Sequence, residues 1–167
     1  MIIWFQDFDQ NEWFILACLL IAYPIAFRLP RPFPKSFVVL IGLFSLSLAK
    51  GADHTLGVEP LDYYNTNEIP VFDATDFATW LLYPVAGYFF LYAYQRLRIQ
   101  GLAIPVFVLG CSAAAPGFEL ICVRFRVFIY KDWEPGYSFL VYMLAQSATI
   151  LFYALLRRWY RPGRAGR

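Results

Sequence analysis

The 167-residue chain reads as an all-α, polytopic transmembrane helical bundle of five spans, a single membrane domain over residues 1–167. Three observations predict it. Hydrophobic residues make up 60% of the chain and charged residues 16%, against roughly 45–50% and 25% in soluble domains. The apolar residues gather into five runs close to the roughly 20 residues a spanning helix needs. Charges of opposite sign collect at opposite ends of those runs.

The first run, about residues 12–27, follows an acidic start, MIIWFQDFDQNEW. A secretory leader would open with a basic segment and close on a small-residue cleavage site. This run has neither and is read as a retained span. The second run starts at Ser36, stays apolar to Ala49 and is taken as helix to residue 54. The third covers about residues 77–95, the fourth 102–123 and the fifth 137–156. An acidic, aromatic-rich loop, about residues 57–75, joins the second and third spans.

Charge orients the bundle. Arg28, Arg31, Lys35, Arg96, Arg98 and the arginines at 157, 158, 161, 164 and 167 fall on one side, without an acid among them. All 12 acidic residues lie on the other half, opposed there by Lys50, Arg124, Arg126 and Lys131. Short basic loops stay in the cytoplasm, which predicts an external N-terminus and a cytoplasmic C-terminus in a bacterial plasma membrane. Tyr and Trp near the proposed boundaries, among them Tyr63, Tyr64, Trp80, Trp133 and Tyr137, fit an interfacial aromatic belt.

A charge at membrane depth needs a partner, water or a route to the interface. Three places raise that question. Where the second helix continues into the stretch KGADHT, Ser47, Lys50 and His54 share a helical face with Asp53 beside them. They are either a polar site or a helix end from which Lys50 reaches the headgroups. In EIPVFDATDFATWLLYP, Asp73 and Asp76 suit helix capping. Asp76, Thr79, Tyr83 and Gly87 nevertheless follow one stripe, with Pro84 placed to bend the helix. In GCSAAAPGFELICVRFRVF, small residues at Gly110, Ala113, Ala114 and Gly117 permit close helix contact. Glu119, past Pro116, is the most deeply placed acid, and Arg124, Arg126 or Lys50 is its expected counter-charge. Lys50, Asp53, His54, Asp76, Thr79, Tyr83, Glu119, Arg124 and Arg126 are therefore the pocket residues to test for convergence.

Other chemistries are excluded. The chain has no H-E-x-x-H, G-x-S-x-G, P-loop or G-x-G-x-x-G pattern. Its one histidine and three scattered cysteines build no His-rich or Cys-rich metal site, Asp53, His54, Asp73 and Asp76 give only a weak, loop-borne signal for one, and no cofactor is called for. A net charge of +2 without an exposed basic–aromatic patch gives no basis for nucleic-acid binding.

The segment IPVFDATDFATWLLYPVAGYFFLYAYQR, following a helix that ends in Asp, resembles an uncharacterised family of small five-span integral membrane proteins of spore-forming Gram-positive bacteria, over about residues 36–100. The resemblance implies a helical bundle in the plasma membrane and no assigned activity. Three functions stay open: a non-enzymatic membrane protein with an extracytoplasmic pocket for a small ligand, ion or membrane-protein partner; an oligomeric transporter or channel subunit, as a homo-oligomer in the bilayer; and an enzyme acting on a lipid or isoprenoid with Asp53 and His54 as acid/base pair.

Overall fold

The computed structural model describes residues 8–67 and 74–160. Its elements are α1 (Gln10–Arg28), α2 (Lys35–Leu56), β1 (Tyr64–Thr66), α3 (Ala74–Trp80), α4 (Leu82–Arg96), α5 (Ala103–Arg124), β2 (Phe128–Tyr130) and α6 (Pro135–Trp159). Four helices, α1, α2, α5 and α6, are long and apolar enough to cross a membrane. Their exposed surfaces carry large apolar side chains such as Leu20, Leu43, Val106, Leu144 and Leu151, the pattern expected where hydrocarbon rather than water is the solvent.

Local signals explain the ends. Asp9 caps α1 by accepting from the Asn11 amide (3.3 Å), and Glu12 returns a bond to the Asp9 amide (3.1 Å), a reciprocal capping box. Pro135 opens α6, where its missing N–H is harmless, and Arg157 and Arg158 close it near the negative end of the helix dipole. In α2 the backbone stays helical through the whole KGADHT stretch.

The expected third span, residues 77–95, is two helices with a break at Leu81. The cause is Pro84, which cannot donate to the Trp80 carbonyl and whose ring crowds it. Tyr23 of α1 donates its hydroxyl to the Leu81 carbonyl at 2.8 Å, tying the break to the first helix.

α4 packs on α2, and α5 on α6, while α2 and α6 bring the two pairs together. The α2–α4 contact is close because Gly87 has no side chain: a β-carbon there would lie 1.9 Å from Ser45 Oγ. The small residues of α5 behave differently. A β-carbon added at Gly110 or Gly117 would meet nothing within 4 Å, and Ala113 and Ala114 are exposed. The close helix contact expected at these positions is not made among the described residues.

β1 and β2 pair antiparallel, with Tyr64 opposite Tyr130. This two-stranded sheet caps the end of the bundle where α2 and α5 finish and α3 and α6 begin. Lys131 reinforces it from the side, bonding both carboxylate oxygens of Asp62 at 2.7 Å. The opposite end is filled by a core of Phe33, Phe37, Ile41, Leu91, Ile150 and Tyr153.

Candidate functional site: a two-carboxylate cavity beneath the sheet

Between the sheet and that core lies a cavity of about 400 Å³, lined by every helix except α1 and by both strands. Its walls are mostly carbon. Leu48, Phe90, Ala115, Phe118, Val141 and Ala145 represent the four long sides. Two carboxylates interrupt them, Asp53 from α2 and Glu119 from α5.

Asp53 is held from three directions. Its Oδ1 accepts from the Tyr64 hydroxyl at 3.0 Å. Its Oδ2 accepts from the Tyr83 hydroxyl at 3.1 Å and from Lys50 Nζ at 3.2 Å. Lys50, one turn earlier on the same helix, also sits 5.1 Å from the centre of the Trp80 ring, a favourable place for an ammonium. Asp53 is thus charge-compensated inside the protein.

Glu119 is only 8% exposed, and hydroxyl groups hold it. Tyr130 donates a short hydrogen bond to Oε1. Ser138 donates to the same oxygen at 2.5 Å, and the Tyr142 hydroxyl also engages the carboxylate. Trp133 Nε1 donates to Ser138 Oγ at 2.7 Å. An indole N–H can only donate, so it occupies a lone pair of the serine and leaves the serine proton for Glu119.

The tyrosines opposite each other in the sheet, Tyr64 and Tyr130, each grip one carboxylate. Directly opposed residues of an antiparallel pair point to the same face, here downward into the cavity. Burial first, and then the neighbouring carboxylates, push both phenols well above their ordinary range. They therefore stay protonated as donors at any physiological pH.

Of the residues singled out from sequence, Asp53, Thr79, Tyr83 and Glu119 line the cavity, and Lys50 joins them through Asp53. The others do not. His54 is exposed and lies off the cavity, although its neighbour Asp53 points in. Asp76 sits at the start of α3 and accepts from Asn67 Nδ2 at 2.6 Å. Arg124 and Arg126 are exposed beyond the end of the cavity. The counter-charge expected for Glu119 from Arg124, Arg126 or Lys50 is thus replaced by hydroxyl donors, because α5 ends at Arg124 and the chain turns away there. Asp73 lies outside the described residues.

Sequence reasoning missed Tyr64, Tyr130, Trp133, Ser138 and Tyr142. Tyr64 and Trp133 read as interfacial belt residues, and Ser138 and Tyr142 drew no attention inside an apolar run. It also passed over Glu12, which is buried and accepts from Thr75 Oγ1 at 2.9 Å, binding α1 to α3. Among the described residues no group of three or more His, Cys, Asp or Glu is placed to hold a metal ion. No protein-family model, curated protein or solved structure matches the chain.

Proposed function

We propose that the chain is a five-span protein of a bacterial plasma membrane, N-terminus outside, whose sheet-capped cavity binds one small, mostly apolar molecule by its polar end. The observation that carries this reading is the convergence of Asp53 and Glu119, from helices distant in sequence, on a single cavity whose remaining walls are apolar. Ligand sites of this kind combine a largely hydrophobic lining with a few placed polar groups, in volumes of roughly 300–1,000 Å³.

The fifth span is α3 and α4 taken together. Residues 74–96 at about 1.5 Å per residue reach across a hydrocarbon core of roughly 30 Å. The basic ends of the helices favour a cytoplasmic C-terminus, which puts the sheet and the cavity on the outer half of the membrane.

Binding is favoured over conduction because the cavity is blind. Below Ser45 and Thr149 the bundle is closed by Ile41, Leu91 and Ile150, so the two carboxylates do not begin a polar route across. The acid/base reading draws no support from His54, which lies off the cavity that Asp53 faces.

Photolabelling tests the proposal. A neutral alkyl alcohol carrying a diazirine, added to the protein in lipid nanodiscs, is expected to label cavity residues such as Phe90, Phe118 and Val141. Ala145→Trp or Ala115→Phe, each filling the space, should abolish that labelling while Leu151 on the outer surface remains labelled. Labelling confined to outward residues, and indifferent to both substitutions, would overturn the reading.

A further inference from the structure

Resting on that pocket reading, we infer that the ligand's polar end is an organic ammonium without an attached phosphate, with Glu119 as its counter-charge. Among the described residues, the charged groups that line or touch the cavity do not balance. Lys50 lies 3.2 Å from Asp53 and answers it. Glu119 is buried and, among the described residues, meets only uncharged donors, Tyr130, Ser138 and Tyr142. An uncompensated buried carboxylate is costly, and one positive charge would balance the groups that line this cavity.

The surrounding rings suit the same guest. Trp133 and Tyr64 lie edge to face at 5.2 Å, Tyr64 and Phe128 at 6.0 Å, and all three line the cavity with Tyr130. Aromatic faces grouped around an anionic centre are the recognised surroundings of alkylated ammonium groups. Zwitterionic phospholipid headgroups fit poorly, since their phosphate would enter beside two carboxylates with Lys50 already engaged. Deeper in the wall, Ser45 Oγ is buried without a hydrogen-bond partner.

The test compares isosteres. Phenylbutyl-trimethylammonium and its uncharged analogue, with carbon in place of nitrogen, are titrated by calorimetry into the protein in zwitterionic nanodiscs. Phenylbutyl-phosphocholine is titrated as a third arm. The ammonium should bind at least about tenfold tighter than its neutral isostere, and Glu119→Gln should remove that advantage while leaving the neutral compound's affinity unchanged. Asp53→Asn should preserve most of the preference. Equal affinity of the ammonium and the neutral compound for the wild-type protein, which needs no variant to fold, would overturn the ammonium inference and leave the pocket reading standing. Tighter binding of the phosphocholine than of the ammonium would overturn the exclusion of phosphate. If neither isostere binds, the inference fails, and photolabelling by the neutral alcohol decides the pocket separately.

Discussion

Tyrosine hydroxyls do at this site what arginine or lysine does at most buried carboxylates. A phenol donates one hydrogen bond and brings no charge, so it orients the acid without neutralising it. Hydrogen bonds to charged groups contribute about 1.5–3 kcal/mol each. Tyr64→Phe and Tyr130→Phe should each lower thermal stability in detergent by an amount of that order. Alkali provides a second check. Both phenols are raised by burial, so the folded state holds their protons more tightly than the unfolded chain does. Their contribution is complete below the ordinary phenol value of about 10 and is lost as pH climbs above it. Melting temperature should therefore be flat in this respect from about pH 7 to about 10 and fall beyond. In Tyr64→Phe,Tyr130→Phe protein the alkaline fall should be shallower, which circular dichroism melts would measure.

The helices were the legible part of the chain. Apolar runs predicted α1, α2, α5 and α6 to within about three residues at each end, because length and hydropathy are what the bilayer constrains. The third span was legible as a run with Pro84 placed to bend it, but the full break at Leu81 was not, since it is fixed by a distant contact, the Tyr23 hydroxyl on the Leu81 carbonyl. The strands were invisible. YNT and FIY are three residues each, too short for alternation to register, and their pairing joins segments far apart in the chain. Without that pairing, Tyr64 and Tyr130 could not be read as partners of Asp53 and Glu119. Asp53, Thr79, Tyr83 and Glu119 were found because charge or stripe position marked them, whereas Ser138 and Tyr142 of α6 look like ordinary helix filler. The glycines separate by neighbours rather than by motif. Gly87→Ala should destabilise the protein by roughly 1–3 kcal/mol, as overpacking does, because Ser45 stands in the way. Gly117→Ala meets open space and should be neutral or stabilising by up to about 1 kcal/mol. Chemical denaturation of the two variants in mixed micelles distinguishes them.

The bundle divides along its length into a packed half and a hollow half. Membrane helices gain little from burying apolar surface against one another, because lipid is equally apolar. Aromatic contacts supply the packed end, with Phe44 stacked on Phe152 at 4.2 Å and Phe37 edge-on to Tyr153 at 6.0 Å. The hollow end is held open by the sheet and by the hydroxyl bonds beneath it. Its side of the membrane can be measured. In intact cells, a cysteine at position 62 should react with an impermeant maleimide and one at position 158 should not, in a background where Cys18, Cys111 and Cys122 are replaced. The reverse pattern would invert the topology and place the cavity on the cytoplasmic half.

The opposition of Tyr64 and Tyr130 has a consequence for how this protein tolerates change. Successive strand residues face opposite ways, so sliding either strand by one position turns its whole set of side chains over. A single-residue insertion between Arg124 and Phe128 would swing Tyr130 away from Glu119 and bring a neighbouring residue opposite Tyr64. An insertion of two would restore the facing while shifting the strand along. Any slip of this pairing therefore costs Glu119 its sheet tyrosine: an odd one turns Tyr130 over, and an even one carries it about 6.6 Å along the strand, leaving Ser138 and Tyr142 to hold the acid.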